Sequence, residues 1–212
     1  MIRFAIPILF FFTTTSFMTI MAQSSFAGTY ELRGIHDMAS AFIFNKDKTF
    51  EFFYAYGAVD RMAKGTFEVA GDTIKLKSNK IPGRDFEIKS QKKQGEGYHL
   101  SFSAPNPFLL RRIKCIAFKG TGKFEYETDK DGKINIASHK FDKIYVQHLL
   151  FPDIVTLIKD EQNENNYFEM ALKPSLSEVS FKGIDLIQKG DELHMLPNYF
   201  MMYENIVYRK SD

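Results

Sequence analysis

At 212 residues the chain is long enough for one average domain or two small ones, and 44% hydrophobic with 25% charged residues is enough to build a real core. The 28 basic and 26 acidic residues leave a net charge of +2 with no basic block, which removes the electrostatic footprint of a nucleic-acid binder. Tryptophan is absent and phenylalanine occurs 22 times, a bias that suits aromatic-packed strands.

The first 22 residues read as a secretory signal peptide. Arg3 supplies the positive start, residues 4–12 form the apolar core, and a softer stretch leads to Ala22. Cleavage after Ala22 leaves Gln23 as the new terminus; Ala27 is the alternative, but cutting there removes Phe26, which belongs just before the first strand. An uncleaved anchor competes with this reading. Pro7 and the polar run 13–16 weaken it, because the apolar segment is already short for a bilayer. We therefore expect an exported protein, periplasmic or secreted, with no membrane span after cleavage. The single cysteine, Cys115, excludes an intrachain disulfide, and its strand neighbours Ile113 and Ala117 predict a buried, inert thiol.

Beyond the leader, residues 28–33 predict a short first strand, and residues 38–78 predict four strands in a meander. Within it Phe50, Phe52, Tyr54 and Tyr56 alternate with Glu51, Phe53 and Ala55, the period of a strand with one aromatic face. Val59-Asp60-Arg61 is expected to carry the chain over to the next strand, where Ala63, Gly65, Phe67 and Val69 share a face. Gly71-Asp72 supplies a turn. Weaker strands follow at 86–90 and 98–103. Ala104-Pro105-Asn106-Pro107 is the best boundary, since its prolines lack backbone donors. Further strands are predicted at 111–119, 123–128, 133–138, 143–149, 154–159, 167–172, 178–181, 184–187, 192–195 and 203–209. The fold class is all-β: an antiparallel meander forming a barrel or sandwich, with a second sandwich-like half. Two partitions are open: a meander domain at 23–104 followed by a β domain at 108–212, or one barrel closed by the C-terminal strands with 108–172 inserted.

Two family likenesses sit on these segments. Gly28-x-Tyr30 opening an up-and-down meander, followed by Phe42-x-Phe44, Asp47-Lys48-Thr49-Phe50, Gly65-Thr66-Phe67 and Gly71-Asp72-Thr73-Ile74, resembles the lipocalin-like domains of exported bacterial proteins of unassigned function. More loosely, the run from Thr128 through Asp129-Lys130-Asp131-Gly132 to Ile134 is similar to carboxypeptidase-regulatory or transthyretin-like sandwich modules, which implies a non-catalytic appendage. The glycine-rich turn that normally precedes that motif is missing.

Candidate chemistry is sparse. Asp129-Lys130-Asp131-Gly132 lacks the further oxygen ligands of a calcium loop, with Lys133 in a ligand slot and Lys140 where the distal glutamate belongs, so a tight hairpin turn is expected. His36, His99, His139, His148 and His194 show no metal-ligand spacing, and no cofactor or metal is expected. Glu51 and Glu68 are the carboxylates that could meet across strands, but nothing in the sequence sets their separation. The sharpest cluster is Tyr54, Tyr56, Asp60 and Arg61, in which flat tyrosine surface beside an Asp-Arg pair could hold a polar ligand group. Core packing is the competing explanation for the tyrosines. The resulting expectation is a non-catalytic binding module of the cell envelope, taking a small apolar or carbohydrate ligand or an envelope protein. A structural scaffold is the alternative, and an unrecognised hydrolase comes last.

Overall fold

The computed structural model describes residues 26–137 and 140–211. The predicted leader at 1–22 and His139 lie outside them. The described chain is all-β, in sixteen strands: β1 (Gly28–Arg33), β2 (Met38–Phe44), β3 (Thr49–Tyr56), β4 (Val59–Ala70), β5 (Thr73–Ser78), β6 (Phe86–Lys92), β7 (Tyr98–Ser103), β8 (Ile113–Lys119), β9 (Gly122–Glu127), β10 (Lys133–Ile136), β11 (Lys143–His148), β12 (Thr156–Lys159), β13 (Tyr167–Leu172), β14 (Asp185–Lys189), β15 (Glu192–Met195) and β16 (Ile206–Lys210). Eight of them close a barrel in the order β1-β16-β15-β14-β5-β4-β3-β2. The strands between β5 and β14 form two four-stranded sheets, β10-β7-β13-β6 and β12-β11-β8-β9. Side chains from both sheets share one core, so the pair is a sandwich.

An eight-stranded barrel is just wide enough for its own side chains to fill it, and here aromatic rings do so. Phe42 stacks on Phe44 at 5.6 Å, meets Phe52 at 4.7 Å and stands edge-on to Tyr208 at 4.9 Å. Phe181 enters from the connection before β14 and packs against Phe42, Phe50 and Phe52. Phe26 covers the opposite end, against Tyr30, Phe44 and Phe67. Gly65 is set by close approach: a Cβ there would overlap the Lys77 carbonyl oxygen on β5.

Several predicted elements shift. β4 starts at Val59, so Asp60 and Arg61 are strand residues, and the turn needs only Gly57, at φ 59°, and Ala58. Residues 178–181 form no strand. Pro174 opens a 3-10 turn, Pro174–Ser177, after which Glu178 makes a single bridge to Met62. Asp129 does shape a tight turn, its Oδ1 accepting from the Asp131 and Lys133 amides, but β9 and β10 belong to different sheets, so it is not a hairpin. β13 also runs parallel to β7. Cys115 is fully buried, and burial pushes its thiol up to about 12.

One sheet edge, β12, is guarded. β12 is only four residues long, its pairing is irregular near Ile144/Tyr145, and it ends on Lys159, which turns inward to donate to the Phe141 and Asp160 carbonyls. Short, irregular, charge-bearing edges resist strand addition.

Candidate functional site

The structure divides the four predicted site residues among three places. Tyr54 and Arg61 are opposite each other on β3 and β4, and both point into the barrel. Tyr56 lies at the barrel rim, 43% exposed, with its hydroxyl near that of Tyr203. Asp60 alternates to the outer wall, opposite Ala55, and is exposed. Glu51 and Glu68 are opposite Lys64 and Lys75 respectively, so the two carboxylates do not meet.

Arg61 belongs to a buried charge cluster where the barrel meets the sandwich. Its guanidinium, 3% exposed, lies 5.8, 5.5 and 5.8 Å from the rings of Phe151, Tyr199 and Phe200, and Nη2 donates to the Pro152 carbonyl at 3.2 Å. Burial lowers its proton affinity, opposed by Tyr199, Asp153 and Asp85. Lys80, leaving β5, reaches Asp85 at 3.0 Å, Asp153 at 2.8 Å and the Glu178 carbonyl at 2.8 Å. The Asp153 contact is ionic but off the hydrogen-bonding direction, and Asp153 Oδ2 accepts no hydrogen bond among the described residues. Burial raises the Asp85 carboxyl, with Lys80 and Ser175 pulling the other way. The Lys173 amide donates to the Asp85 carbonyl at 2.9 Å and Ser175 Oγ to its carboxylate at 3.0 Å. The cluster therefore stitches together the chain segment leaving the barrel and the one returning to it. It is closed to solvent, and its role is structural.

Among several open features, one is a groove of about 630 Å³ on the outer face of the β12-β11-β8-β9 sheet. Strand alternation builds it. Ile113, Cys115 and Ala117 on β8 face the core, so Ile116 and Phe118 face outward; Ile144 and Val146 on β11 face the core, so Lys143 and Tyr145 face outward. Pairing then sets two adjacent rows across the sheet: Lys123, Phe118 and Lys143 in one, Glu125, Ile116, Tyr145 and Leu157 in the next. The Phe118 and Tyr145 rings sit 5.9 Å apart at 89°. On the lip, Asp142 Oδ2 accepts from the Gly120 amide at 2.7 Å, and Lys143 is 3.8 Å from Glu161, beyond hydrogen-bond reach. Lys114 and Lys123 both bond Glu125 and hold its carboxyl down to about 2.

Among the described residues no three His, Cys, Asp or Glu side chains converge on a metal-sized site. His99 bonds Asn135, His194 bonds Glu192, and His148 bonds the Leu109 carbonyl and the Leu150 amide. None of these contacts activates a nucleophile.

Searches of protein families, characterised proteins and solved structures return no match for this chain. Its site must therefore be read from its own geometry. Phe118, Tyr145, Asp142 and Lys143 went unnoticed in the sequence, although β8 carries a signal: residues 113–118 contain Ile116 and Phe118 at positions where a half-solvated strand should be polar.

Proposed function

We propose that the protein is an exported, non-catalytic recognition module whose contact surface is the Phe118–Tyr145 groove. The observation that carries this reading is the groove itself: half-buried rings on an otherwise solvated sheet face, beside lip groups with hydrogen-bonding capacity to spare. The ring-filled barrel moves the recognition surface away from the barrel interior. Export draws on the leader pattern of residues 1–22 and the lipocalin-like pattern over the meander. No helix among the described residues is long and apolar enough to cross a membrane.

An envelope scaffold is the second reading. It is favoured by the outward row Ala41, Phe53 and Met62 on the barrel wall, in which Phe53 and Met62 are about half exposed. One experiment separates the two. An environment-sensitive fluorophore is placed on Leu157→Cys, beside Tyr145, or on Ile43→Cys, on the barrel wall near Phe53, in the mature chain in a Cys115→Ser background, and each is titrated with solubilised envelope polymers. A response from the groove label supports recognition there. A response confined to the barrel-wall label supports the scaffold and refutes the groove.

A further inference from the structure

The groove's chemistry narrows the class of ligand, and this step rests on the recognition reading above. We infer that it takes an uncharged oligosaccharide.

Charge is the first argument. Lys123 and Lys143 line the groove together with Asp142 and Glu161, so the formal charges cancel. A polyanion would be pressed against two carboxylates and a polycation against two ammonium groups, each a repulsive pairing that selects against charged ligands.

Hydrogen-bonding capacity is the second. The Tyr145 hydroxyl bonds no group among the described residues and opens on the groove, so it can both donate to and accept from a ligand. Asp142 has one oxygen engaged by Gly120, leaving Oδ1 free among the described residues, and Lys143 does not reach Glu161 closely enough to bond it. The groove thus offers donors and acceptors side by side. A sugar hydroxyl both donates and accepts, so a run of hydroxyls matches a lip of mixed character. A purely apolar ligand would strip water from these groups without replacing it, at about 1–3 kcal/mol each.

Shape is the third. Phe118 and Tyr145 stand perpendicular, with Ile116 and Val155 completing an apolar floor. The C–H face of a pyranose ring packs on such a floor while its equatorial hydroxyls reach the lip. The volume of about 630 Å³ lies within the range of small-ligand sites and has room for a short oligosaccharide.

The test is chemical-shift mapping on the ¹⁵N-labelled mature chain. Three sets of probes are titrated to millimolar concentration: neutral oligosaccharides (maltopentaose, cellopentaose and triacetylchitotriose), oligogalacturonate as the anionic arm, and a capped octapeptide mixture. At least one neutral sugar is expected to shift the amides of Ile116, Phe118, Lys143 and Tyr145 saturably. Tyr145→Ala and Phe118→Ala should each weaken that binding by about tenfold, the scale of a lost ring contact with or without a lost hydrogen bond. Tyr145→Phe, which keeps the ring and the fold, should weaken it by about threefold, and Tyr56→Ala should leave it unchanged. Shifts at the groove from oligogalacturonate or the peptides alone would overturn the neutral-sugar assignment and leave the recognition reading standing. Silence at the groove in all three arms would overturn both. A sugar that binds Tyr145→Ala and Phe118→Ala as tightly as the parent would place the site elsewhere and overturn the inference.

Discussion

Replacing Lys80 with methionine probes the joint between barrel and sandwich most directly. Its ammonium touches both Asp85 and Asp153 within 3.0 Å, and the side chain is 1% exposed, so water screens neither contact. Methionine keeps most of the volume, which leaves the lost charge as the main perturbation. Removing one partner of a buried ion pair costs about 3–5 kcal/mol, because the other charge stays buried without compensation. Asp85 keeps its bond from Ser175, and Arg61 lies within electrostatic reach of both carboxylates. The lower part of that range, about 3–4 kcal/mol, is therefore expected. For a chain of this size that is a fall in Tm of roughly 6–16 °C.

The pH dependence supplies a signature that a packing defect would lack. Burial already raises the Asp85 carboxyl against the pull of Lys80. Without Lys80 the folded state gains affinity for protons at Asp85, further above the unfolded value of about 3.9. A folded state that binds more protons gains stability as pH falls, so the gap between Lys80→Met and the parent should narrow from about pH 7 to about pH 5. Urea unfolding followed by far-UV circular dichroism at both pH values measures it. Adding Asp85→Asn and Asp153→Asn should recover over half the loss at pH 7. A loss below about 1 kcal/mol at pH 7, the scale of an exposed ion pair, would refute the burial argument, as would a gap that does not change with pH.

Other outcomes follow from the same geometry. His148 is buried with Nε2–H donating to the Leu109 carbonyl at 3.0 Å and Nδ1 accepting from the Leu150 amide at 3.2 Å, and burial depresses its proton affinity. Its stabilising contribution is present above the unfolded value of about 6.5 and is lost as pH falls below it, so His148→Gln should flatten the decline in urea midpoint between about pH 7 and about pH 5. Gly65→Ala forces a Cβ into the Lys77 carbonyl oxygen and should cost about 3 kcal/mol or more in the same assay, since neither backbone can yield without parting β4 from β5. Tyr54→Ala should cost about 3–4 kcal/mol as a core truncation, whereas Tyr56→Ala at the rim should cost under about 1 kcal/mol. Thermal scans of the pair would refute the core placement of Tyr54 if the two losses were equal.

The barrel wall was readable because its signal is local. Phe50, Phe52 and Tyr54 point inward at a period of two, and Gly71-Asp72 turns the chain with Gly71 at φ 66°. The start of β4 was not readable, since Val59-Asp60-Arg61 looks polar and turn-like. Arg61 is tolerated inside only because three rings and the Pro152 carbonyl, all far away in sequence, surround it. The loss of the predicted 178–181 strand has the same origin. Phe181 is apolar because it plugs the barrel, which is a tertiary demand that imitates strand periodicity.

The groove is the instructive case, because part of its signal was present in the sequence and went unnoticed. A sandwich strand with one solvated face should alternate apolar with polar residues. β8 instead runs Ile113, Lys114, Cys115, Ile116, Ala117, Phe118, and only its odd positions serve the core. Ile116 and Phe118 contribute nothing to the sandwich interior, so folding alone does not account for them. A single exposed apolar side chain needs no explanation. Pairing, however, sets Tyr145 and Leu157 in one row with Ile116, and Phe118 in the next row beside Lys143. That makes a contiguous apolar floor assembled from three strands, which chance exposure does not explain. The apolar excess on β8 is visible in the sequence, but its meaning appears only when the register of β11 and β12 is known. Residue choice on the outward face of this sheet is therefore where selection for something other than folding is expected to lie.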